Sequence, residues 1–361
     1  MNVRYVITAI LFCGLPSPIF AQAEPPLVAD AEQGNAQAQY NLALTFEHGE
    51  GVPKDYDQAE KWYRLAAEQG LAHAQSNLGV MFHEGRGVTQ DYSEAAKWYQ
   101  LAAEQGNAIA QYNLGMMYRQ GLGLAQNDAI AVKWYHLAAE QGVAAAQHNL
   151  GTMYDLGAGV AANAVEAEKW YQLAAQQGVA VAQYRLGYMY AYGEGIPRKH
   201  IEAVKWFRQA ADQGFAEAQR ELGFMFDVGA GVPENDVEAV KWYRLAAEQG
   251  NANAQRALGI MYAHGRGVTK DAGEALKWVQ LAAEQGNASA QSNLGLMYAM
   301  GDGVPRNRVK AYVWLSMAEA IDGPVAPHLL EFVEKSMTSE QIDGAQTLIQ
   351  HCLEKNYKGC D

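Results

Sequence analysis

The sequence predicts an all-α protein, a solenoid of eight 36-residue helix-turn-helix repeats with helical caps at both ends. Three observations carry that prediction. One glycine recurs every 36 residues, at Gly34, Gly70, Gly106, Gly142, Gly178, Gly214, Gly250 and Gly286. All eight tryptophans keep the same step, from Trp62, Trp98 and Trp134 through Trp170, Trp206 and Trp242 to Trp278 and Trp314. Between these markers, apolar residues return at helical spacing, with no insertion anywhere in the array.

Residues 1–23 stand apart. Arg4 precedes a short apolar run, Val6–Leu15, which Pro16 and Pro18 end. Ala21 and Ala23 then give the small-residue form of a cleavage site. The run is shorter than the ~20 residues a spanning helix needs. Residues 1–23 are therefore expected to be a secretory signal peptide, and the protein to be periplasmic or secreted, with no membrane span after cleavage. Cys13 does not lie in a lipoprotein context. Residues 24–34 match only the end of a second helix and lack its tryptophan, which predicts an N-terminal cap.

Residues 35–322 hold the eight repeats. In the first helix of each, Ala38, Gln39, Leu42 and Phe46 have equivalents throughout, and the leucine column runs unbroken to Leu294. Positions 38, 42, 45 and 46 share one side at 3.6 residues per turn, so that side faces a core. A glycine follows the leucine from Gly79 onward. It costs ~1 kcal/mol against alanine inside a helix, so its recurrence predicts close approach of another helix. The connection Gly85-Arg86-Gly87-Val88 and its equivalents end the first helix with a left-handed glycine. No Lys-Ser/Thr follows and no strand precedes, so this is not a phosphate loop. Asp55, Asp91, Asn127, Asn163, Asn235, Asp271 and Asn307 then stand where a second helix needs its cap, worth about 1 kcal/mol each. Lys199 is the exception and predicts a weaker start in the fifth repeat. In the second helix, Ala59, Tyr63 and Ala66 line one side beside Trp62. Small alanines let helices approach, and each buried ring contributes roughly 1.5–3 kcal/mol. Glu68 and Gln69 are expected to face polar surroundings.

Residues 323–361 leave the repeat pattern and are expected to form C-terminal capping helices. His328–Met337 is amphipathic, and Thr338 with Gln341 has the capping-box spacing. Cys352 and Cys360 are the cysteines left after cleavage. They can be two free thiols or one bridge, and an exported chain favours the bridge.

The chain of 361 residues is acidic, with formal net charge −13. That disfavours nucleic acid, which needs a basic footprint. The nine histidines form no metal-binding spacing, although His48 and His83, with Glu47 and Glu84, come from adjacent repeats and invite a test. There is no nucleophile elbow and no cysteine placed as a nucleophile. No catalytic residue, cofactor or metal is expected.

The repeat spelling, as in Ala74-Gln75 through Lys97-Trp98-Tyr99 to Gln105-Gly106, resembles the Sel-one-like repeat, a relative of the tetratricopeptide repeat. The resemblance covers residues 35–322 and implies a right-handed superhelix with adaptor or scaffold roles in protein complexes. It carries no shared catalytic residues. Cysteine-rich members have been linked to penicillin binding and β-lactam hydrolysis, which gives an alternative reading as an envelope enzyme or ligand binder. Those members carry a cysteine pair inside each repeat; here the pair lies outside the array. A third reading, a periplasmic regulator of a membrane sensor, follows from exported relatives.

If recurring columns build the scaffold, variable columns on the opposite side of the first helix are the candidates for binding. One column reads Tyr40, Ser76, Tyr112, His148, Tyr184, Arg220, Arg256, Ser292, and the next turn runs from Leu44 through Tyr188 and Phe224 to Leu296. An apolar stripe flanked by tyrosine and arginine suits a peptide or helix. The stripe can equally serve packing between repeats. The expected contact residues are Tyr112, His148, Tyr184, Arg185, Tyr188, Tyr192, Arg220, Phe224 and Arg256, centred on repeats four to six. The expected function is a non-catalytic scaffold that takes a protein or peptide in its inner groove.

Overall fold

A computed structural model describes residues 24–322, 327–358 and 360. The signal-peptide assignment lies outside these residues. The described residues form helices and no strands, in this order: α1 (Glu24–Glu32), α2 (Ala36–His48), α3 (Tyr56–Glu68), α4 (Ala72–Glu84), α5 (Tyr92–Glu104), α6 (Ala108–Gln120), α7 (Asp128–Glu140), α8 (Ala144–Leu156), α9 (Ala164–Gln176), α10 (Ala180–Tyr192), α11 (His200–Asp212), α12 (Ala216–Val228), α13 (Asp236–Glu248), α14 (Ala252–His264), α15 (Ala272–Ala283), α16 (Ala288–Met300), α17 (Arg308–Asp322), α18 (Pro327–Lys335) and α19 (Ser339–Glu354). This is the all-α repeat solenoid that the 36-residue step predicts.

The described residues divide into two compact units, residues 24–146 with 158–160, and residues 147–157 with 161–322, 327–358 and 360. In the first, helices α1 to α7 each pack on the next in chain order. In the second, the same holds from α9 to α17, and α17 also receives α18 and α19. Cys352 of α19 is joined to Cys360 by a disulfide, with Cα atoms 5.4 Å apart.

Three sequence features build each repeat. The first is the glycine after the leucine. A Cβ on Gly223 would stand 2.7 Å from the Tyr243 ring, and one on Gly187 would stand 2.7 Å from Phe207. Only a hydrogen lets the second-helix ring settle against the first helix. The second is the loop glycine pair. Gly85 takes φ 71° to end α4, and a Cβ on Gly87 would meet the Tyr56 carbonyl at 2.6 Å. The third is the cap: Asp55, Asn127 and Asn235 accept backbone N–H bonds at the starts of α3, α7 and α13, whereas Lys199 makes none at the start of α11. None of the eight tryptophans is exposed; Trp170, Trp242, Trp278 and Trp314 are buried and the rest half-buried.

A polar spine runs through the apolar core. Gln69 Nε2 donates to the buried Gln39 Oε1 at 2.7 Å, and the same bond at the same length joins Gln105 to Gln75, Gln141 to Gln111, Gln177 to Gln147, Gln213 to Gln183, Gln249 to Gln219 and Gln285 to Gln255. The first-helix glutamine then donates to the preceding second helix, as Gln75 does to Ala67 O at 3.1 Å and Gln219 to Ala211 O at 3.1 Å. Gln69 is exposed, and the polar surroundings expected for it include the buried side-chain amide of Gln39. At the eighth repeat the donor position holds Ile321, and the buried Gln291 Oε1 has no partner among the described residues.

Candidate functional site

The variable face is built on α10 and α12. Tyr184, Tyr188 and Tyr192 follow at four-residue steps along α10, so their rings form one ladder. Ring centroids are 6.0 Å apart for Tyr184 and Tyr188, and 4.4 Å for Tyr188 and Tyr192. Gly187 admits Phe207 from α11, and Tyr184 rests on that ring at 6.0 Å and on Phe215 at 5.3 Å. Arg185 lies 5.7 Å over the Tyr188 ring while forming an ion pair with Asp155. All three tyrosines remain half-buried.

The ladder is tied to the next repeat through a carboxylate the sequence reading did not single out. Tyr192 Oη donates to Glu221 Oε2 at 2.8 Å, and Arg220 pairs with the same carboxylate. Glu221 is fully buried, and burial pushes its carboxyl above the usual range, against the opposing pull of Arg220 and Tyr192. Burial also raises the Tyr184 phenol to about 12, with Glu221 adding to the rise and Arg220 opposing it. Phe224, one turn beyond Arg220 on α12, is half-buried.

The remaining expected contact residues do not all join this cluster. Tyr112 belongs to the first unit, where it lies 6.0 Å from Tyr135. His148 is buried against Tyr171 at 5.6 Å, so it contributes packing rather than an exposed contact. Arg256 on α14 is half-buried, and its enclosed Nε has no hydrogen-bond partner.

A second regularity organises the polar side of the array. Where the second helix carries a tyrosine at the Tyr63 position, the first helix of that repeat carries a polar residue at the Glu47 position: Glu47, His83, Arg119, Asp155 and Asp227. Where that hydroxyl is missing, at Phe207, Val279 and Leu315, the partner position is Ala191, Ala263 and Ala299. In three of these repeats the hydroxyl explains the match. Tyr63 Oη donates to Glu47 at 2.5 Å, Tyr171 to Asp155 at 3.1 Å and Tyr243 to Asp227 at 3.2 Å. An arginine closes each of these three pairs: Arg86 on Glu47, Arg185 on Asp155 and Arg266 on Asp227. Both halves of the pattern are printed in the sequence, but only the structure shows that the two columns touch.

Arg86 pairs with both Glu47 and Glu84. The His83 ring packs edge-on to Tyr92 at 5.2 Å, and burial lowers its pKa against the pull of Glu84. These side chains form an ion-pair cluster rather than the metal site considered from sequence. Among the described residues no three His, Cys, Asp or Glu side chains converge as metal ligands, and no helix is long and apolar enough to cross a membrane.

A family model described as Sel1 repeat matches the chain eight times in succession, at residues 36–71, 72–107, 108–143, 144–179, 180–215, 216–251, 252–287 and 288–320. Among solved structures, a Sel1 repeat protein from Oxalobacter formigenes is 33% identical, with 85% of this chain and 89% of that chain covered and a TM-score of 0.64. A protective antigen present in uropathogenic Escherichia coli strains, displaying an SLR fold, is 34% identical over 92% of this chain and 87% of that chain, with a TM-score of 0.49. No curated protein matches the sequence.

Proposed function

The chain belongs to the Sel1 repeat family, whose members are commonly protein-interaction scaffolds, and on that premise we propose that it is an exported, non-catalytic scaffold that binds a segment of another protein. The observation that carries this reading is the α10 ladder. Three tyrosines and an arginine are fixed in place by Phe207, Phe215, Asp155 and Glu221, yet each stays partly exposed. Rigid aromatic and arginine side chains held before binding lose little entropy on contact, which is what makes them energetic anchors. The contact face comprises Tyr184, Arg185, Tyr188, Tyr192, Arg220 and Phe224.

Affinity capture with the purified protein, read by mass spectrometry, identifies the partner. The variant Y184A/Y188A then weakens its binding by at least tenfold, about 1.4 kcal/mol, while helix content by circular dichroism stays native. Equal affinity for the variant and the parent sinks the assignment of this face. Export has its own measurement: protein recovered from the envelope fraction begins at Glu24 by N-terminal sequencing.

A further inference from the structure

Arg220 and Arg256 occupy the same position in adjacent repeats, on α12 and α14. Arg220 has its counterion in the next residue, Glu221, whose carboxylate is fully buried. Arg256 is followed by Ala257, which is half-buried and brings a methyl group where Glu221 brings a carboxylate. The other two columns that bring polar groups to this level are also apolar in this repeat. Ala263 stands where Asp227 stands one repeat earlier, and Val279 stands where Tyr243 stands. The carboxylates of the preceding repeat are already engaged: Asp227 by Arg266 at 2.6 Å and Tyr243 at 3.2 Å, Glu221 by Arg220 and by Tyr192 at 2.8 Å. Arg256 forms no ion pair among the described residues, and its Nε–H is enclosed without an acceptor. An enclosed guanidinium N–H with no acceptor is unusual in a folded chain and costly to maintain.

We propose that Arg256 receives an Asp or Glu side chain of the bound segment, in the place that Glu221 fills beside Arg220. This rests on the scaffold reading above and specifies the partner's chemistry. A guanidinium fork matches a carboxylate with two parallel N–H···O bonds, and the match is stronger where water is partly excluded. One turn along α14 stands the half-buried Ile260, and the equivalent Leu296 on α16 is 44% exposed. The segment therefore carries an acidic residue flanked by apolar side chains. The chain's net charge of −13 gives no general attraction for such a segment, so the recognition is local to this arginine.

The test has a ligand-free arm and a ligand arm. Without ligand, R220M lowers the thermal midpoint because it strands the buried Glu221, whereas R256M leaves the midpoint unchanged or raises it. An equal loss in both variants overturns the proposal, because Arg256 would then serve an internal contact. In the second arm, phage-displayed random dodecapeptides are selected on the purified protein, and a selected peptide is synthesised in C-terminally amidated form with its acidic residue as acid or as amide. On the parent protein the acid form binds about tenfold tighter than the amide form. On R256M the two forms bind within about twofold of each other. A257E supplies an internal carboxylate and erases the acid preference in the same way, with helix content intact. Acid and amide forms binding the parent equally overturns this inference while leaving the binding face standing. Selection of no peptide, or of peptides indifferent to Y184A/Y188A, removes the binding face itself and this inference with it.

Discussion

At the residue scale, one hydrogen atom decides how near each pair of helices stands. Gly223 faces the Tyr243 ring with room for no methyl group, and G223A is expected to cost about 1–3 kcal/mol, the usual range for overpacking a rigid core. Gly344, inside α19, has nothing within 4 Å of where a Cβ would sit, and G344A is expected to stabilise by up to ~1 kcal/mol through helix propensity. The two urea midpoints should therefore move in opposite directions. Glu221 gives a prediction in pH. Its folded carboxyl is raised above the usual range, so the folded state holds its proton more tightly than the unfolded state does. Stability from this group is present below the ordinary carboxylate pKa of about 4 and declines as pH rises through the folded value. Relative to E221Q, the parent protein should lose stability across that interval and then level off; urea midpoints measured from pH 3 to pH 8 check the sign.

At the scale of elements, helix starts are uneven and correctable. Lys199 offers α11 no side-chain acceptor, and α4, α10 and α12 begin at Leu71, Val179 and Phe215, which offer none either. K199D should add about 1 kcal/mol and slow amide exchange in the first turn of α11. The glutamine spine works at the same scale. Q219L should remove the bonds to the Gln249 amide and the Ala211 carbonyl together, costing about 0.5–1.5 kcal/mol for each, since Gln249 keeps Leu245 O and Ala211 O keeps the Gly214 N–H. Much of this level was legible in advance. Caps, loop glycines and the leucine column each act within one repeat, so spacing alone identifies them. The spine was not legible, because Gln39 and Gln69 lie thirty residues apart and polar residues near a helix end ordinarily face water. The same holds for Tyr63 and Glu47, whose pairing is invisible until two helices are laid side by side.

At the scale of the molecule, the repeat number, step and helical class follow from the 36-residue register, because each repeat contacts chiefly its sequence neighbours. The candidate face was legible only in outline. Tyr184, Tyr188 and Tyr192 stand out as a helical ladder, but Glu221 and Asp155, which hold the ladder and Arg185 in position, do not. His148 looked like a surface residue and is enclosed. The C-terminal end gives the prediction proper to this scale. Trp314 of α17 is fully buried, and α18 and α19 pack on α17. Removing residues 323–361 should lower the thermal midpoint by several degrees and promote aggregation, measured by light scattering during heating.

The run of amide bonds has an implication for how such a chain can change length. Every donor finds its acceptor at a fixed offset, so excising residues 216–251 as a block removes one whole glutamine pair, leaves the others with their own mates, and gives Gln255 the Ala211 carbonyl in place of that of Ala247. A cut of 35 or 37 residues leaves one repeat a residue too long or too short and breaks the offset there. Genetic crossing-over between copies would thus be tolerated in whole multiples of the unit, since each copy brings its own pair, and the eighth, with Ile321 in place of the donor, is the one that brings none.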